Sequence, residues 1–192
     1  MIQLISMIWI CGRTAIALAS KLTIPLRVSH GLNTSGLDII SKEEFILFGF
    51  STMAPSSFSP DAQKSVAILD LLWWKMVGAM GEAGESLHRE MIGATSPADK
   101  NSPPLVIKYF AGSTLIFPGC ETMLVPAGNY LRYIHTGPKS AVDHSFKVAY
   151  LEIFTSSGLL ERQAPHLEVY PVANHPTSDV FTFEILIPIM PA

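Results

Sequence analysis

Along this chain, short apolar runs give way to a helical repeat of apolar positions and then return, and the sequence does this twice. In the first half, Phe45 to Phe50 (FILFGF) is rich in aromatic and branched residues and reads as a strand. Ser59-Pro60-Asp61 supplies a helix start, with a capping residue followed by proline. Val66, Leu69, Trp73, Met76, Val77 and Met80 then recur at three- and four-residue intervals, which marks a helix with one buried face. Gly78, Gly81 and Gly84 weaken its end. A polar loop containing Ser96-Pro97 and Pro103-Pro104 leads to two expected strands, Leu105 to Phe110 and Thr114 to Phe117.

The second half opens with a strand at Tyr130 to His135 and turns at Thr136-Gly137-Pro138. Ser140 and Asp143 have the spacing of a helix N-terminus, although Glu or Gln would complete a capping box better than Asp. Phe146, Ala149, Tyr150, Ile153 and Phe154 form the buried stripe, and Gly158 is placed to stop the helix. His166 to Tyr170 and Phe181 to Ile189 are the closing strands, with Pro188 near the end of the last.

Both halves therefore read strand, helix, strand, strand, over about 43–118 and about 125–190. One such unit has too little material to bury its apolar surface, whereas two can share a sheet and a core. The expected fold is α+β: duplicated βαββ units forming one curved antiparallel sheet, with two main helices flanking a central groove. The joint between the halves is a natural place for a pocket. The domain is expected over 37–192. Residues 1–36 are expected to be an N-terminal extension outside it, because Arg13 and Lys21 interrupt the apolar stretch before it could span a membrane.

Charge and composition narrow the function. Thirteen basic and sixteen acidic residues leave a net charge of -3 with no basic run, which argues against direct nucleic-acid binding. Two cysteines, Cys11 and Cys120, cannot build a disulfide framework and suit a cytoplasmic protein. The six histidines lack the close spacing of a metal site. No cofactor is expected, a haem on His135 or His144 included. No nucleophile elbow, P-loop or dinucleotide fingerprint is present.

Four segments in order carry a family resemblance: Val125 to Tyr130 (VPAGNY), Ile134 to Pro138 (IHTGP), Leu167 to Tyr170 (LEVY) and Phe183 to Ile189 (FEILIPI). Together they resemble the GyrI-like small-molecule-binding family, also called the bacterial transcription-activator effector-binding domain. The resemblance covers roughly Glu43 to Ile189. It implies a stand-alone domain that captures or senses hydrophobic, cationic, drug-like compounds in a central cleft, as a homodimer or with a partner regulator. The alternative it implies is a hydrolase of electrophilic toxins, with a pocket glutamate as general base.

The candidate ligand-binding residues follow from both arguments. Strand alternation puts Glu168 and Tyr170 on the face opposite Leu167 and Val169. From the residues alone, Glu168 is either solvated or sunk in a cleft, where it would attract a cation. The resemblance places it at a pocket floor. Glu184 either joins that acidic floor or pairs with Lys108 or Arg132. Trp73 and Trp74 point about 100° apart on their helix, so one packs and the other borders the groove. Tyr109, Tyr133 and Phe50 are wall candidates by strand alternation. Leu186 stands where the family's sensors often carry a tyrosine in the last strand, a departure that bears on ligand preference.

Overall fold

A computed structural model describes residues 38–85, 89–97, 102–103, 105–172 and 176–191, so the N-terminal extension expected over 1–36 lies outside the described residues. The short strand β1 (Ile39–Lys42) leads directly into the long strand β2 (Phe45–Pro55). Helix α1 (Ala62–Glu82) follows, then β3 (Met91–Pro97), β4 (Val106–Ser113) and the edge strand β5 (Glu121–Val125). The second unit is β6 (Gly128–Pro138), helix α2, β7 (His166–Tyr170) and β8 (Val180–Ile189). Helix α2 starts as an α-helix at Val142–Lys147, widens to a π-helix over Val148–Phe154 and closes at Thr155–Ser157. Gly158, at φ 76°, takes the left-handed conformation that ends it.

All eight strands form one antiparallel sheet in the order β1-β6-β8-β7-β3-β4-β2-β5. The triplet β2-β4-β3 is mirrored by β7-β8-β6, so the duplication is visible in the topology. Strands β3 and β7 meet at the joint, with Gly93 opposite Glu168. Two connections cross from one end of this order to the other: Glu43-Glu44 between β1 and β2, and Pro126-Ala127 between β5 and β6. Two residues span only about 7 Å of extended chain. The ends of the sheet are therefore close together, and the sheet is curled.

Each face of the curled sheet has its own core. One carries Tyr109, Tyr170, Phe183 and Ile185 and packs against Trp73, Met76 and Met80 of α1 and Tyr150 and Phe154 of α2. The reverse face carries Leu47, Ile92, Phe110, Leu167, Val169 and Leu186, a cluster drawn from strands alone. In α1 the expected stripe holds: Trp73, Met76 and Met80 are buried, and Val66, Leu69 and Val77 are partly buried.

The first unit corrects two expectations. Thr114 to Phe117 is a loop, not a strand; the Leu115 N–H donates to Ser113 Oγ at 3.2 Å, and Phe117 folds back edge-on to Phe50. The third strand of that unit is instead β3, in the stretch that reads as a polar loop. Its residues Gly93, Ala94, Thr95 and Ser96 are small or polar and hide a strand that pairs with both β4 and β7; at Gly93 an added Cβ would meet the Tyr109 hydroxyl.

Candidate ligand-binding cleft

A cavity of about 110 Å³ opens between α1 and α2 over the β3–β7 joint. Glu168 and Tyr170 of β7 and Tyr109 of β4 form its floor. Trp73 and Leu69 of α1 and Phe146 of α2 supply apolar walls. Asp70 of α1 and Lys139, just before α2, line it as well and pair at 2.6 Å.

Glu168 is 8 % exposed. Its Oε2 accepts hydrogen bonds from both floor phenols, Tyr109 at 2.6 Å and Tyr170 at 2.7 Å. No other donor among the described residues reaches it, and no Lys, Arg or His there forms an ion pair with it. Oε1 is thus left for the cavity. Burial pushes the Glu168 carboxyl above the usual range; the two phenols partly offset this, and the charge of Asp143 adds to it. Burial and the neighbouring carboxylate likewise raise both tyrosines well above their ordinary value, which keeps them as protonated donors.

Gly93 makes this arrangement fit. A Cβ there would lie 2.0 Å from the Tyr109 hydroxyl and 3.0 Å from Glu168 Oε2, so only glycine lets the phenol cross β3 to the carboxylate. Trp73 stands edge-on to both floor tyrosines, with ring centroids 6.4 Å from Tyr109 and 5.5 Å from Tyr170. Phe183 stacks beneath Tyr170 at 4.8 Å. The carboxylate is thereby ringed by aromatic surface.

The structure brings Glu168, Tyr109 and Trp73 together and places the other sequence candidates elsewhere. Phe50 is buried on the same face, under the Lys75 ammonium at 3.8 Å and beside Phe117, but does not line the cavity. Tyr133 is half-buried against the helix-side core, also off the lining. Trp74 is 59 % exposed, so Trp73 both packs and borders the cleft. Glu184 points to the reverse face and pairs with Arg132 at 3.1 Å, while Arg132 also holds Asp38 at 2.7 Å. Leu186 is fully buried in the reverse-face cluster, opposite Leu167. In both cases period-two alternation along β8 turns the side chain away from the helices.

Two groups of lining residues escape a reading of the sequence. His166 lies two residues before Glu168 and shares its face; its Nε2 is 2.7 Å from Glu161 Oε1, and its Nδ1 meets the Tyr150 hydroxyl. The alternation that selects Glu168 selects His166 as well. Asp70, Lys139 and Asp143 carry no such signal, because helical charges usually face water.

The fold and cleft together define an α+β small-molecule-binding domain, its pocket set at the joint of two βαββ units. A family model of the GyrI-like small molecule binding domain matches residues 71–190, and the chain belongs to that family. No curated protein matches it in sequence. Solved structures share its fold at low identity. An integron cassette protein from the mobile metagenome of Vibrio cholerae is 16% identical, with a TM-score of 0.60 over 81% of this chain and 96% of that one. SAV2435, in a structure bound to tetraphenylphosphonium, is also 16% identical, with a TM-score of 0.60 over 80% and 93%. A Staphylococcus aureus MU50 protein assigned to bacterial transcription regulation is 15% identical, with a TM-score of 0.58 over 84% and 100%.

Among the described residues, no helix is long and apolar enough to cross a membrane, and no cluster of His, Cys, Asp and Glu could hold a metal ion.

Proposed function

We propose that this domain binds hydrophobic organic cations, with the positive charge seated at Glu168 and the apolar groups against Trp73, Tyr109 and Tyr170. The observation that carries the reading is a buried carboxylate with no cationic partner among the described residues, one oxygen held by two phenols and the other left to an aromatic-walled cavity. Keeping such a charge out of water is costly unless something neutralises it. A lipophilic cation does so and adds cation–π attraction of about 0.5–2 kcal/mol per ring. A relative of the same fold bound to tetraphenylphosphonium supports this choice of ligand class. In the cell we place the domain in the cytoplasm, working as a homodimer or with a partner regulator, and without nucleic-acid contacts of its own.

Titration with tetraphenylphosphonium tests the reading. Glu168→Gln should weaken binding tenfold or more while leaving the fold intact, in line with the loss of a charged contact of roughly 1.5–3 kcal/mol. An unchanged curve removes Glu168 from the site. The open carboxylate oxygen is also the group a hydrolase would use as general base. Repeated turnover of a reactive epoxide, as opposed to stoichiometric uptake, would move the reading to an enzyme.

A further inference from the structure

The cleft holds more negative charge than one monocation neutralises. Among the described residues its lining contains three carboxylates, Asp70, Asp143 and Glu168, and one ammonium, Lys139, a balance of -2 with the His166 imidazole left aside. Asp70 and Lys139 satisfy each other at 2.6 Å. Asp143, in the first turn of α2, forms no ion pair or hydrogen bond among the described residues. It is only half-buried, and its charge is felt at Glu168. The cleft thus has two acidic points on different walls: a deep one on β7 boxed in by rings, and a shallower one on α2 near Val142 and Phe146.

From this placement we infer that the preferred ligand is an amphipathic dication: one positive centre sits at Glu168, an apolar body crosses the cleft, and a second positive centre rests at Asp143. The inference rests on the cation-binding reading above and adds a specificity residue to it. The helix dipole alone accounts for an acidic residue in a first turn. It does not account for that residue lining the same cavity as a buried carboxylate with no cationic partner among the described residues.

The test compares three probes by calorimetry on the full chain: tetraphenylphosphonium, the bis-quinolinium dication dequalinium, and N-decylquinolinium, a single-headed cation with the same alkyl spacer. Dequalinium should bind at least tenfold more tightly than N-decylquinolinium. Asp143→Asn should remove most of that advantage by weakening dequalinium far more than either single-headed cation, and Asp143→Glu should restore it. The inference is overturned if the two quinolinium probes bind alike, or if Asp143→Asn leaves the advantage intact. In either case, tetraphenylphosphonium binding that still depends on Glu168 leaves the parent reading standing. Failure of all three probes to bind overturns both.

Discussion

At the residue scale, Glu168 is held in a state that favours ligand over fold. Its folded carboxyl titrates above the unfolded one because burial outweighs the two phenol hydrogen bonds. The folded protein therefore holds a proton that the unfolded chain releases, and stability falls as pH rises from the ordinary carboxylate range through the raised value. Glu168→Gln keeps a carbonyl oxygen for Tyr109 and Tyr170 without the charge. It should raise stability at pH 7–8 by about 1 kcal/mol, read as a higher Tm, while abolishing the preference for cations. Cation affinity carries the opposite pH dependence: it should be lost as pH falls through the Glu168 titration, because the protonated acid offers no charge. Tyr170→Phe removes one donor to the carboxylate and should shift that midpoint to higher pH.

At the element scale, the site depends on which strand lies where. Strand β3 brings Gly93 opposite Glu168, and the Tyr109 phenol passes over that glycine. Gly93→Ala should displace the phenol and cost roughly 1–3 kcal/mol of stability by overpacking, together with a large loss of tetraphenylphosphonium affinity. Chemical denaturation alongside titration would check both. This strand was also the hardest to read from sequence. Strand patterns stand out when alternating residues are large and apolar, as in Phe45 to Phe50, whereas Gly93, Ala94, Thr95 and Ser96 are small or polar, and at Gly93 the Tyr109 phenol leaves no room for a side chain. Leu167 to Tyr170 was legible because a mid-strand glutamate between apolar residues has few explanations. Glu184 has the same local pattern yet pairs with Arg132 on the reverse face. Local alternation separates the faces but does not say which one the helices cover.

At the scale of the whole molecule, the two short crossings that curl the sheet set a strand-lined core on one face and leave the other to the helices. The helices part over the joint, and Lys139–Asp70 bridges them. A cavity of about 110 Å³ is smaller than the roughly 300–1,000 Å³ of drug-sized sites, and the expected outcome of ligand binding is a widening of the gap between the helices. Lys139→Met should speed the association of tetraphenylphosphonium in stopped-flow measurements. Its effect on stability should stay within about 1 kcal/mol, as for other partly exposed pairs.

The central claim, that Glu168 is a buried carboxylate waiting for a cation, is tested most directly by following its side-chain carboxyl by NMR across a pH titration, without and with saturating tetraphenylphosphonium. The account predicts a midpoint above the ordinary glutamate range in the free protein and a fall of that midpoint when the cation is bound. An ordinary midpoint that the ligand does not move would contradict it.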